Sequence, residues 1–190
     1  MEKEIEFNLI ERSANGNTEA FRALVEANQG FAISLASRFV RDVTDAEDIV
    51  QEAFIRVWKN LNRYDFNFRF KTWLGKIVTN LCLDAGKSAK LRQTRPLDDA
   101  VPHQANENAT NELEHEELRN IILHLAAQLT PRQQAVFVLR DLEQLEPDEV
   151  CKALDMTNGN MKSNLYYARV HIKAGLEKFY KTNPQNKRAL

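Results

Sequence analysis

The stretch Thr44–Asp84, TDAEDIVQEAFIRVWKNLNRYDFNFRFKTWLGKIVTNLCLD, holds two helical patterns separated by a run of aromatics. Ile49, Val50, Ala53, Phe54, Val57 and Leu61 recur at helical spacing, which predicts a helix over about 45–61 with these residues facing a core. The opposite stripe carries Asp48, Gln51, Glu52 and Ile55, with Arg56 and Lys59 beside it. Two carboxylates, an amide and an exposed branched aliphatic suit a protein contact better than a metal. Thr44 followed by Glu47 reads as a capping box at the helix start. Tyr64, Phe66, Phe68, Phe70 and Trp73 then fall close together, interleaved with Arg63, Arg69 and Lys71. Aromatic planes can stack on unpaired bases while neighbouring cations hold the backbone of a single strand. Phe70 and Trp73 are expected to plug the core between helices, and Tyr64, Phe66 and Phe68 to lie nearer the surface. The helix that follows, over about 71–90, lines Lys76, Asn80, Leu83 and Lys87 along one face with Asp84 beside them.

Outward from this stretch, the chain is helical in its punctuation as well. A length of 190 residues permits one medium domain or two small ones, and 43% hydrophobic residues allow a packed core. Six glycines and five prolines favour helices over a sandwich with many turns. Gly16-Asn17 reads as a turn, with a short helix before it and a longer one from about Thr18 to Val40, its stripe being Phe21, Leu24, Val25, Leu35, Ala36 and Phe39. The run LDDAVPHQANENATNE is polar, acidic and without periodicity, so it is expected to be a flexible linker. Beyond it, Leu118, Ile121, Ile122, Leu125 and Leu129 form another helical stripe. Thr130-Pro131-Arg132-Gln133 supplies an N-cap, a proline at the first helical position and a reciprocal Gln, opening a helix to about Asp141. Pro147 opens a short helix through Val150 and Leu154, and Thr157-Asn158-Gly159 turns into a long last helix. The fold class expected is all-α, with two small helical domains on a flexible acidic tether and no repeat.

In the last helix, Met161, Leu165, Ala168, Ile172, Leu176 and Phe179 mark the buried side. That leaves Gly159, Asn160, Ser163, Tyr166 and Tyr167 outward, flanked by Lys162, Arg169 and Lys173. Two helices joined by a short turn, the second polar at its start, fit a helix-turn-helix. Short polar groups near the leading end suit base edges, and flanking cations suit phosphates. The net charge of −1 hides an acidic middle, 96–118, without a single Lys or Arg, and a basic stretch from Met156 on in which seven cations face only Glu177. The local field, rather than the total, is what a phosphate backbone meets.

The stretches DAEDIVQEAFIRVW and FKTWLGKIVTN, with the DxxDxxQExF pattern from Asp45 to Phe54, resemble the promoter-melting domain of bacterial sigma factors, specifically the extracytoplasmic-function (ECF) subfamily of the sigma-70 family. LEPDEVCKALDMTNGNMKSNLYYAR is similar to the sigma-4 helix-turn-helix of the same family. The likeness covers nearly the whole chain and implies a sigma-2 helical bundle over 1–95, a linker over 96–112, a sigma-4 domain over 113–182 and a basic tail over 183–190. It implies that Asp48, Gln51, Glu52 and Ile55 grip the clamp of the largest subunit of core RNA polymerase. It further implies that Tyr64, Phe66, Phe68, Arg69, Lys76, Asn80 and Lys87 meet single-stranded promoter DNA, with Asn80 of TWLxxIxxN where relatives hold a flipped base. Asn160, Lys162, Ser163, Tyr166, Tyr167, Arg169 and Lys173 would then meet upstream duplex. An anti-sigma protein is a further partner implied by family alone. The chain departs from the pattern at Asn164 and Tyr167, often Arg in relatives, at Glu146 in place of a Ser or Thr cap, and at Asn160-Met161 in place of Thr-Val, which bears on base preference.

Other functions find less support. His103, His115, His124 and His171 do not cluster, and there is no phosphate loop, nucleophile elbow or paired-cysteine zinc spacing. Glu112 and His115 make one ExxH pair, but a di-iron site needs a second pair and two further Glu. The expectation is therefore a binding protein without enzymatic activity, catalytic residues, metal, cofactor or small-molecule substrate. Cys82 and Cys151 sit among apolar neighbours and read as small core residues rather than a disulfide framework. The start MEKEIEFNLIERS lacks a cationic leader with an apolar run, and no stretch approaches the roughly 20 apolar residues of a membrane span, so a cytoplasmic location without membrane insertion is expected. The competing reading is a helix-turn-helix regulator with an amino-terminal helical interaction domain. It accounts for the last helix but not for the aromatic run or the acidic, amide-bearing stripe.

Overall fold

The computed structural model describes residues 2–40, 42–92 and 110–182, which are helical with no strand among them. The front unit comprises α1 (Glu2–Ala14), α2 (Thr18–Ala36), α3 (Val43–Asn60) and α4 (Phe70–Arg92). The rear unit comprises α5 (Thr110–Ala126), α6 (Pro131–Phe137), α7 (Pro147–Ala153) and α8 (Asn158–Thr182).

Local chemistry sets the helix ends. Gly16 turns the chain at φ +87°, a left-handed conformation that suits glycine, and Asn17 caps α2 by accepting from the Ala20 N–H at 2.8 Å. α2 stops at Ala36 instead of reaching Val40: beyond it the Arg38 and Phe39 N–H groups bond only three residues back, to the Leu35 and Ala36 carbonyls, while the Ser37 hydroxyl adds a second donor to the Ile33 carbonyl. The Thr44–Glu47 capping box is corrected: Asp42 is the cap, its carboxylate accepting from the Thr44 N–H at 2.7 Å, so Thr44 is already inside the helix. The Thr130–Gln133 box forms as expected, with reciprocal contacts of 3.2 and 3.4 Å and Pro131 at the first helical position. α6 ends at Phe137, short of Asp141, where the backbone widens into a π turn over Val138–Leu142 closed by the Glu143 N–H on the Val138 carbonyl.

Apolar faces then close on one another. Leu24 and Leu35 of α2, Val50, Ala53, Phe54 and Val57 of α3, and Phe70, Leu74, Val78 and Cys82 of α4 are buried together. Each large apolar side chain removed from water contributes about 1.5–3 kcal/mol, so these faces hold the bundle. In the rear unit α5 and α8 meet at Gly175, where a Cβ would lie 2.4 Å from Leu125 Cδ2. Cys82 is buried, and burial pushes its thiol up to about 12, whereas Cys151 is only half-buried rather than a full core residue.

The two units also touch. α7 packs against α4, and Val150, Ala153, Met161 and Leu165 of the rear unit continue the same apolar cluster as Leu74 and Val78. The acidic linker expected between the units falls, up to residue 109, outside the described residues, as does the basic tail.

Candidate polymerase and nucleic-acid interfaces

Three faces carry the residues singled out in the sequence. On α3, Asp48 and Gln51 are exposed, Ile55 is 46% exposed, and Glu52 is half-buried with its carboxylate accepting from Arg56 Nε at 2.8 Å one turn on. The stripe borders an open groove of about 690 Å³ between α2 and α3, floored by Val25, Ile33, Val50 and Phe54 and rimmed by Gln51 and Trp58. Trp58 was missed in the sequence reading. It is partly exposed, with its ring 4.8 Å from that of Phe21, and its spacing three residues after Ile55 was the available signal. This face therefore offers an apolar trough whose polar lip is made of Gln29, Glu47 and Gln51.

The aromatic segment between α3 and α4 is organised around Tyr64. Its expected surface position is corrected: Tyr64 is 8% exposed and donates its hydroxyl to the Phe68 carbonyl at 2.5 Å. Its ring lies 5.1 Å from Phe66, 6.0 Å from Phe70 and 5.2 Å from Trp73, so it props the loop from beneath. Burial, with Glu6 and Asp65 adding to it, pushes the phenol up to about 12. Asp65 tightens the turn by accepting from both the backbone and side-chain N–H groups of Asn67. Phe70 is fully buried and Trp73 half-buried, as plugs for the core. Phe66 is 48% exposed, and Phe7 of α1, equally exposed and not singled out in the sequence, lies 4.6 Å from it. Glu6, beside Lys71 and Arg69, is held up by burial against the pull of those cations.

Along α4, Asn80 is exposed one turn beyond Lys76. Lys76 donates to Asp155 at 2.8 Å, and Arg69 lies 3.8 Å from Glu149, so both residues sit on the side of the front unit that the rear unit covers. Phe68 is half-buried, with Lys152 Nζ 4.6 Å from its ring centre. Lys87 lies on α4, but its side chain is outside the described residues.

On α8, Asn160, Lys162, Ser163, Tyr166, Tyr167, Arg169 and Lys173 are all exposed, opposite buried Met161, Leu165, Ala168 and Ile172. Thr157 starts the helix by accepting from the Asn160 N–H at 3.3 Å. The two tyrosine rings stand 5.5 Å apart, edge to face, as the largest exposed aromatic surface of the rear unit. Arg169 is held by Asp141 through paired contacts of 2.7 and 2.8 Å, which raise its pKa further and fix its direction. Asn164, where relatives often have Arg, donates back to the Asn160 carbonyl at 2.8 Å.

Two family models match, Sigma-70 region 2 over residues 24–92 and Sigma-70, region 4 over residues 119–172. The ECF RNA polymerase sigma-E factor of Escherichia coli strain K12 is 30% identical over 173 residues, spanning 86% of this chain and 90% of that protein. The chain belongs to the ECF sigma factors. The ECF RNA polymerase sigma factor SigW of Bacillus subtilis strain 168 is 29% identical over 88% of this chain and 94% of its own. Among solved structures, CnrH in complex with the cytosolic domain of CnrY has a TM-score of 0.66 at 23% identity, covering 92% of this chain and 98% of that one. The sigma factor RpoE from Bartonella quintana, in complex with the anti-sigma factor NepR, has a TM-score of 0.64 at 16% identity, covering 83% and 96%. As an ECF sigma factor, the chain binds core RNA polymerase and promoter DNA and directs transcription initiation. None of the described helices is long and apolar enough to cross a membrane.

Proposed function

We propose that the three faces divide the work of this ECF sigma factor. The α3 stripe, Asp48, Gln51, Glu52 and Ile55, docks on the clamp of core polymerase, with the adjoining groove and Trp58 receiving apolar side chains. Phe66, Phe68, Arg69, Lys76, Asn80 and Lys87 take the non-template strand as the promoter opens, and Tyr64 acts from below by holding the loop. The amide of Asn80 can offer two donors and an acceptor to a base edge. The α8 face, Asn160 to Lys173, enters upstream duplex. The function is binding alone, without covalent chemistry, in the compartment that holds core polymerase, the cytoplasm. By analogy with the complexes of CnrH and of RpoE, an anti-sigma protein is a further partner.

The observation that carries this reading is the α3 face: an exposed acidic and amide lip beside an open apolar groove, on a helix whose other side is wholly committed to the core. Core-enzyme pull-down tests it. Asp48→Ala with Glu52→Ala should abolish capture at unchanged helicity, and undiminished recovery would sink the assignment. Asn80→Ala should lose permanganate-reactive melting of a cognate promoter while upstream protection remains. Equal loss of both would contradict a role in strand trapping.

A further inference from the structure

Ile10 and Ser13 anchor α1 in the front bundle, both buried, and the helix packs against α2 and the single turn Leu61–Arg63. One turn before Ile10, Phe7 is left half in water at 48% exposure. Its ring lies 4.6 Å from that of Phe66, which is equally exposed, at an interplanar angle of 45°. Tyr64 braces Phe66 at 5.1 Å, edge-on at 78°. Two rings from distant parts of the chain therefore meet at the surface as one continuous apolar platform, where packing alone would have buried at least one of them. Cations stand beside it: Glu6, the residue before Phe7, feels both Lys71 and Arg69, which oppose the effect of its burial. Glu4 and Glu11, one turn to each side of Phe7 on α1, are exposed and repel phosphate. A nucleic acid that reaches this ring must meet it with a base.

We propose that Phe7 is a second stacking ring for the opened promoter strand, extending the platform of Phe66 onto α1. The inference rests on the assignment of the aromatic segment to single-stranded DNA, and it adds a helix that none of the contact residues proposed above occupies. The two rings touch, too close for a base to enter between them, so a base lies across their outer faces. Arg69 and Lys71, beside the platform, are left to meet the flanking phosphates, and Phe7 contributes flat apolar area without charge. A stack of this kind is indifferent to base identity, since every base has a π-face. Its loss weakens strand binding and leaves the salt dependence unchanged, because no phosphate contact goes with it.

Holoenzyme assembled from the full chain and core polymerase, bound to a cognate promoter pre-opened by mismatches, tests the proposal. Phe7→Leu keeps the apolar volume and removes the plane. Affinity should fall by about tenfold, as when one base–ring stack is lost, at unchanged salt slope, core-enzyme recovery and melting temperature of the free chain. Phe7→Tyr keeps the plane and should retain the parental affinity. 5-Iodouracil scanned through the opened non-template strand should photo-crosslink to the α1 peptide that carries Phe7, which reads the contact without any substitution. If Phe7→Leu also lowers the melting temperature, the cross-link decides. Parental affinity in Phe7→Leu while Phe66→Ala and Asn80→Ala both weaken binding, or no cross-link to α1 at any position, would overturn the role of Phe7 and leave the strand face standing. Lost core-enzyme recovery in Phe7→Leu would give the ring to a protein contact and overturn it likewise. If the opened promoter is indifferent to all three substitutions, the strand-face assignment fails and takes this inference with it.

Discussion

Glu149 divides its carboxylate between two tasks: one oxygen accepts from the Glu146 N–H at the start of α7, and the other accepts from Thr72 across the units. Its sequence neighbours announce the first task, a Glu three residues after the cap position, but nothing local announces the second. Tyr64 shows the same division. Its place in an aromatic run suggests a surface ring, and only the hydroxyl's reach to the Phe68 carbonyl decides otherwise. The raised phenol pKa has a stability consequence with a definite sign. The folded chain holds this proton more tightly than the unfolded chain, whose tyrosine titrates near the model value of 10.0. The contribution is therefore fully present below that value and is lost as pH rises towards about 12. An alkaline titration should show a phenolate signal arriving late and together with loss of aromatic-region circular dichroism. Tyr64→Phe should remove the late signal. A Tyr64 that ionises with the exposed tyrosines would contradict the buried position.

At the scale of elements, α3 and α8 were legible because each has one committed side, and a period of 3.6 assigns the rest of the helix to solvent without further knowledge. Ile49, Val50, Ala53 and Phe54 gave away the α3 stripe in this way, and Met161, Leu165, Ala168 and Ile172 the face of α8. Helix ends were less legible, since the Asp42 cap, the tightened turn beyond Ala36 and the π turn after Phe137 are decided by hydrogen bonds that residue spacing does not register. On α8 the geometry separates two kinds of contact. Lys162 projects near the helix start, and its removal should weaken cognate and unrelated duplex alike, lowering the salt slope by about one charge. Tyr167, 60% exposed, should instead set preference at one position, with a penalty of roughly 1–3 kcal/mol on replacement. Binding of both variants to a randomised upstream library at two salt concentrations distinguishes them, and a uniform loss with the Tyr167 variant would reassign it to backbone contact.

For the whole molecule, the sequence carried the two helical units but not their contact. Arg38 and Glu143 are separated by 105 positions, and Lys76 and Asp155 by 79, too far apart for any local pattern to couple them. A contact of that range is settled by which apolar patches remain when each unit has folded, here those of α4 and α7. Cys82, at the heart of the front bundle, turns that burial into chemistry. Only a thiolate reacts with alkylating agents, and with its pKa near 12 the folded chain at pH 8 presents about one thiolate in ten thousand at this residue. Unfolding returns it to about 8.5 and makes it reactive. Cys151, half-buried, should label first and serve as an internal reference. Mass spectrometry of iodoacetamide-treated chain should find Cys82 modified in proportion to the population of opened bundle, faster with added denaturant, and equal rates at the two cysteines would contradict the packing around α4. The native protein thus contains its own gauge of how often the front bundle stands open, and the same residue is shielded from oxidants for as long as the bundle stays closed.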